Sequence, residues 1–210
     1  WNIDLKGAKV VVQGFGNVGS YAAKFLHEYG CKIIGVSDIS GGLYAPDGFD
    51  VEELFDYNYK HRTIDGYQYG KKITNEELLA LECDFLIPAA LGSAINEDNV
   101  DSLNCKIIIE AANGPVTGEA ADKLWKKKIA IIPDILTNAG GVTVSYFEWV
   151  QNLQQFKWPE DEINQKLEQK MVAAFNEVYS VKQNKNVPMR IASFMVAIDR
   201  VSTAYNLREG

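Results

Sequence analysis

The stretch Val10-Val11-Val12-Gln13-Gly14-Phe15-Gly16-Asn17-Val18-Gly19 constrains this chain more than any other. It reads as a buried strand, a tight glycine turn and the start of a helix. The spacing GxGxxG is by itself a weak signal, since any tight turn can carry it. Its surroundings make it specific: a β-branched run precedes it, a helical pattern follows, and Asp38 lies nineteen residues beyond Gly19 at the end of the next apolar run. In such a turn the first glycine permits the bend, the second lets backbone approach a phosphate, and the third lets helix and strand pack closely. The helix N-terminus adds free N–H groups and partial positive charge. A bound dinucleotide is the expectation, against a purely structural turn.

Composition removes other classes. The 210 residues are 47% hydrophobic and 23% charged, ordinary for a globular chain with a sizeable core. The net charge of -7 argues against a nucleic-acid surface, which needs clustered Lys and Arg. The one basic run, Lys126-Lys127-Lys128, suits a helix end where it complements the dipole. Cys31, Cys83 and Cys105 are widely spaced beside apolar runs, so buried free thiols in a reducing, cytoplasmic compartment are expected and no metal is. No membrane span is evident, because the apolar stretch from Phe85 to Ile95 is short and broken by Pro88 and Gly92. Trp1 is an unusual first residue and suggests a fragment.

Apolar runs at 8–13, 32–37, 84–87, 106–109 and 129–132 lack polar alternation, as expected of parallel strands covered on both faces. Helical patterns separate them. In the helix from Asn17 to Tyr29, Val18, Ala22, Phe25, Leu26 and Tyr29 are read as the inward side. The turn-rich segment 41–48 is read as a surface hairpin or loop, and Val51 to Tyr59 as a short helix. Thr74 and Glu77 form a capping box, and Thr117 is a further N-cap. The expected fold is α/β: a Rossmann-type, doubly wound, mostly parallel sheet over 1–141, with a C-terminal helical tail over 142–210. In that tail, Ile163, Leu167, Met171, Ala174, Phe175 and Val178 are expected inward on one helix. Ile191, Phe194, Met195, Ile198 and Val201 are expected inward on the last.

Ligands of parallel sheets sit at the carboxyl ends of the strands, so the rim there supplies the candidate contacts. They are Gly14, Phe15, Gly16, Asn17, Val18 and Gly19 of the turn, Asp38 with Ile39, Ala89 and Ala90, Asn113, and Asn138. Asp38 would accept hydrogen bonds from the adenosine ribose and repel a 2′-phosphate. No Lys or Arg lies between Ile39 and Tyr59 to receive one. Both points favour NAD, with NADP left open. Asp38 as a simple loop cap and Asn113 as a turn residue are the plainer alternatives. No acid–base constellation is visible. His27 and His61 read as structural or solvated, Glu110 and Asp134 lack a nameable partner, and Ser145 has no base beside it.

Taken in order, Gly14 to Gly19, Ser37-Asp38, Pro88-Ala89-Ala90, Glu110 to Pro115, Pro133 to Trp149 and Arg190-Ile191-Ala192 resemble the coenzyme domain of the hexameric glutamate dehydrogenases. Leucine and phenylalanine dehydrogenases share the turn. Asn113-Gly114-Pro115 and Tyr146-Phe147-Glu148-Trp149 are more similar to the glutamate branch.

The resemblance implies oxidative deamination of glutamate to 2-oxoglutarate and ammonia, coupled to nicotinamide reduction, in a homo-hexamer. It implies Asn17 near the pyrophosphate or ribose, Ala89, Asn113 and Asn138 at the nicotinamide end, and Val142 and Ser145 in the glutamate pocket. It also implies that the catalytic lysine and aspartate belong to an N-terminal substrate domain absent here, so that the chain binds coenzyme without turnover. Since some NADP-using members also keep an acid at the Asp38 position, the expectation of NAD leans equally on the missing basic residues. A non-catalytic NAD-sensing module is the competing class, and the substrate-facing Ser145 speaks against it. A methyltransferase turn is a third, opposed by the loops at Asn113 and Asn138.

Overall fold

The computed structural model describes residues 3–209; Trp1 lies outside them. The chain divides into two compact units between Ile131 and Ile132. The first contains β1 (Lys9–Gln13), α1 (Asn17–Glu28), β2 (Lys32–Asp38), β3 (Gly41–Tyr44), α2 (Val51–His61), β4 (Lys71–Ile73), α3 (Asn75–Leu79), β5 (Cys83–Pro88), β6 (Cys105–Ile109) and α4 (Gly118–Lys126). With β7 (Ala130–Ile132) these strands form one sheet in the order β4-β3-β2-β1-β5-β6-β7. β1 runs parallel to both β2 and β5, and β5 runs parallel to β6.

The mostly parallel, doubly wound sheet is therefore as expected. The chain moves outward from β1 through β2, β3 and β4, then returns to the other side of β1 for β5. That reversal opens a crevice at the carboxyl ends of β1 and β5. Val11, Ile34, Leu86 and Ile108 join one buried cluster with Leu78, Leu79 and Leu124 from helices on that face. Val10, Val12, Ile33 and Val36 are equally buried. Burial on both faces explains the unbroken apolar runs.

The antiparallel edge of the sheet is only partly as expected. Within segment 41–48, β3 pairs with β2 as a hairpin arm, but Leu43 is buried, and the exposed turn is confined to Pro46 and Asp47. β4, with no strand signal of its own, adds antiparallel to β3.

The inward face of α1 also differs. Gly19, Ser20 and Ala23 are buried, while Val18, Phe25 and Tyr29 face solvent. Sterics explain this. A Cβ on Gly19 would stand 1.8 Å from the Gly14 carbonyl oxygen, so the helix lies too close to the sheet for large side chains.

Caps sit where the sequence puts them. Thr74 accepts from the Glu77 N–H while Glu77 accepts from the Thr74 N–H. Thr117 accepts from the Ala120 N–H at the start of α4. The lysine run follows the end of α4, where Lys127 pairs with Asp101 at 2.6 Å.

The second unit is helical: α5 (Asp134–Thr137), α6 (Ala139–Gln154), α7 (Glu160–Lys185) and α8 (Met189–Glu209). The expected stripe of α7 is right, with Val178 buried and the other five partly buried. That of α8 is not. Met189, Ala192 and Val196 join Leu136 and Val178 in the core, whereas Ile191, Phe194, Met195, Ile198 and Val201 are exposed. Helical spacing yields two apolar stripes here, and the narrower one, built around Ala192, allows close approach to α7. All three cysteines are free and buried. Among the described residues, no helix is long and apolar enough to cross a membrane.

Candidate functional site

The crevice is assembled by hydrogen bonds between strand ends. The Gly14 N–H donates to the Ser37 carbonyl at 3.0 Å, linking β1 to β2. The Ala89 N–H donates to the Gln13 carbonyl at 2.7 Å, linking β5 to β1. The Ala111 and Ala112 N–H groups both donate to the Pro88 carbonyl, at 3.1 and 2.9 Å, linking β6 to β5. Four strands thus deliver their following loops to one edge.

Each glycine of the turn has a distinct reason. Gly14 holds φ +92, and a Cβ there would lie 2.8–2.9 Å from Ala90 atoms, both backbone and side chain. Gly19 is dictated by the close helix–strand approach. Gly16 has no steric reason, since a Cβ on it would meet nothing within 4 Å. Its φ of -82 is open to any residue. The space in front of Gly16 is thus free of the chain's own atoms. Gly16 is also the N-cap of α1, yet no side chain caps that end and no acid occupies its first turn. An open cradle over uncapped N–H groups suits a diphosphate.

Phe15, by contrast, is buried beneath the turn. Asn17 and Val18 are exposed on the first turn of α1. β1 ends at the buried Gln13, whose amide NH2 donates to Asn75 Oδ1 at 3.1 Å.

Asp38 ends β2 as expected and anchors a loop. Its Oδ1 accepts from the Ser40 N–H at 2.7 Å and the Ser40 hydroxyl at 2.5 Å. Its Oδ2 accepts from the Thr63 hydroxyl at 2.7 Å and the Ile64 N–H at 2.8 Å. Partial burial alone would raise the carboxyl's pKa, but these hydrogen bonds outweigh it and hold the group below the usual carboxylate range. Ile39, beside it, is completely exposed.

Ala90 and Asn113 are exposed on the loops after β5 and β6. Those loops are zipped together by the Ser93 N–H to the Gly114 carbonyl and the Ile95 N–H to the Pro115 carbonyl. The first unit therefore brings Gly14 to Gly19, Asp38, Ile39, Ala89, Ala90 and Asn113 to one edge of the sheet.

The remaining candidates belong to the second unit. Asn138 is exposed at the junction of α5 and α6. Val142 and Ser145 are exposed on one face of α6, three residues apart.

The titratable groups without an expected role are placed as follows. His61 stacks on Tyr57 with ring centroids 4.3 Å apart. Glu110 is fully buried where β6 ends. Asp134 accepts from the Ile135 N–H. No cluster of three or more metal-ligating side chains occurs among the described residues.

Thr63, Ile64 and Lys72 escaped sequence reasoning. They follow Asp38 by 25 or more positions and carry no motif. Only the antiparallel return of β3 and β4 brings Lys72 alongside Leu43 and so into the neighbourhood of β2. A search for basic residues limited to 39–59 could not find it.

Comparison with known proteins follows this geometry. A sequence model described as Glutamate/Leucine/Phenylalanine/Valine dehydrogenase matches residues 1–209. The glutamate dehydrogenase of Thermotoga maritima is 53% identical over 207 residues, covering 98% of this chain and 50% of its own. The cryptic catabolic NAD-specific glutamate dehydrogenase of Bacillus subtilis is 49% identical over 206 residues, covering 98% and 48%. The hetero-hexameric glutamate dehydrogenase of Thermus thermophilus, in its Leu-bound form, superposes with a TM-score of 0.92 at 30% identity, covering 99% of this chain and 49% of that one. The glutamate dehydrogenase of Peptoniphilus asaccharolyticus gives a TM-score of 0.80 at 37% identity, covering 96% and 47%. The chain spans about half the length of the curated relatives it matches.

Proposed function

The chain belongs to the Glutamate/Leucine/Phenylalanine/Valine dehydrogenase family, and from that premise we propose that it is the coenzyme-binding part of an NAD-dependent glutamate dehydrogenase. The observation that carries this is Gly16: a glycine at a helix N-cap, with ordinary φ, and with open space where its Cβ would be. Neither a clash nor a positive φ requires glycine there, although glycine is a better N-cap than alanine. A diphosphate approaching the uncapped end of α1 does require it.

In this reading Gly14 to Gly19 cradle the pyrophosphate through backbone N–H groups, with Asn17 reaching the adjoining ribose. Asp38 and the exposed Ile39 border the adenosine. Because both Asp38 oxygens already hold Ser40, Thr63 and Ile64, a ribose hydroxyl meets the carboxylate by sharing or displacing one of these donors. Ala89, Ala90 and Asn113 border the nicotinamide end. Val142 and Ser145 face the substrate, with Ser145 donating to the glutamate side-chain carboxylate.

The bound nicotinamide supplies the redox chemistry. The chain's own residues bind and orient it, and the acid–base groups come from a substrate domain outside this chain. NAD is favoured over NADP because relatives of this similarity include an NAD-specific enzyme. Homo-hexameric assembly and a cytoplasmic setting, with neither nucleic acid nor membrane as partner, complete the proposal.

Calorimetry on the 210-residue chain tests it. NAD should bind, more tightly than NADP, and glutamate with NAD should yield no NADH above background. Absence of NAD binding would overturn the coenzyme reading. Measurable turnover would overturn the assignment of the catalytic groups to another domain.

A further inference from the structure

Beyond Asp38 the first unit carries a small, half-open pocket of about 50 Å³, lined in part by Ser40, Ile64, Asp65 and Lys72. Two of these residues belong to the Asp38 network itself: Ser40 donates to Oδ1 and Ile64 to Oδ2. Lys72 lies in β4, opposite Leu43 of β3, and its ammonium pairs with Asp65 at 2.8 Å. Both partners are well exposed. The Lys72 ammonium holds the Asp65 carboxyl low, while the charge of Asp38 pushes it the other way more weakly, so Asp65 lies within electrostatic reach of both. The nearby Arg62 points elsewhere, lying 5.1 Å over the Tyr59 ring.

We propose that the Lys72–Asp65 ion pair is a second determinant of coenzyme choice: Asp65 occupies an ammonium that would otherwise receive a 2′-phosphate on the adenosine ribose. This rests on the coenzyme reading above and refines it. With Asp65 in place, two carboxylates and one ammonium surround the position beyond Asp38, and a dianionic phosphate is repelled. With Asp65 neutralised, the charges of Asp38 and Lys72 balance, and a flexible, exposed ammonium is free to turn to the anion. An exposed ion pair is weakly held, so the fold itself should not depend on it.

The experiment compares two fragments that differ only in the 2′-phosphate: 5′-AMP and adenosine 2′,5′-bisphosphate. Each is titrated calorimetrically, at low salt, into the 210-residue wild type, D65N and the double variant D65N/K72M. The wild type should prefer 5′-AMP. D65N should bind the bisphosphate roughly fivefold more tightly, the upper range for freeing one exposed charge, and leave 5′-AMP affinity nearly unchanged. Added salt should erode the gain, and D65N/K72M should lose it. No gain in D65N would overturn the proposal. So would a gain retained in D65N/K72M, which would mark a simple loss of negative charge. If the wild type bound neither fragment, the coenzyme reading would fall first; 5′-AMP binding with an unresponsive D65N would sink the ion pair alone.

Discussion

Asp38 accepts four hydrogen bonds from three residues on two segments, which makes it a structural tie as well as a candidate ribose contact. Asp38→Asn turns one acceptor oxygen into a donor facing an N–H or hydroxyl. Urea unfolding at neutral pH should show a loss of about 1–3 kcal/mol. The pH dependence follows from the sign of the shift. The folded carboxyl titrates below its ordinary value, so its stabilisation is complete above the unfolded pKa and is lost as pH falls through the lower, folded one. The gap between wild type and variant should therefore close in acid. The glycines separate in the same way. Gly19→Ala forces a Cβ to 1.8 Å from a backbone oxygen and should cost about 3 kcal/mol or more in thermal or chemical unfolding.

At the level of elements, periodicity and caps made most of the fold legible. The apolar runs of β1, β2, β5 and β6 report a sheet covered on both faces, and Thr74 and Thr117 mark helix starts without tertiary help. Two kinds of feature stayed hidden. β3 and β4 are short and glycine- or lysine-rich, and they become strands because β2 offers an edge to pair with. The buried faces of α1 and α8 are not the ones that periodicity selects, because each helix carries two apolar stripes. Close approach selects the stripe that contains the small residues, Gly19 and Ala23 on α1 and Ala192, between Met189 and Val196, on α8. The candidate site divides along the same line. The turn and Asp38 are local motifs and could be read directly, whereas Thr63, Ile64 and Lys72 reach the site only through tertiary pairing. The two stripes of α8 give a clear contrast. Ile198→Ala should change unfolding free energy by no more than about 0.5 kcal/mol, while Ala192→Leu, inserted into the packed face, should lower it by about 1–3 kcal/mol.

For the whole molecule, the three thiols report on the integrity of the first unit. Burial raises the Cys105 thiol to about 12 and, with the charge of Asp84, pushes Cys31 upward too. Cys83 moves in the same direction, chiefly by burial with added repulsion from Cys105. A thiol reagent at neutral pH should therefore react slowly with the native chain and rapidly with all three cysteines once it is unfolded. Fast native reaction would mean that the sheet opens far more readily than its packing implies. Above this lies the claim on which the proposed function depends, that the space over Gly16 is kept open for a diphosphate. Its most direct test is an NADH titration of the wild type and Gly16→Ala, followed by fluorescence, with thermal unfolding of both measured alongside. The account predicts a loss of no more than about 1 kcal/mol in unfolding, the cost of an alanine N-cap where the added methyl touches nothing, together with about a tenfold or greater loss of NADH affinity as the backbone is held off the phosphates. Equal NADH affinity in the two proteins would contradict it.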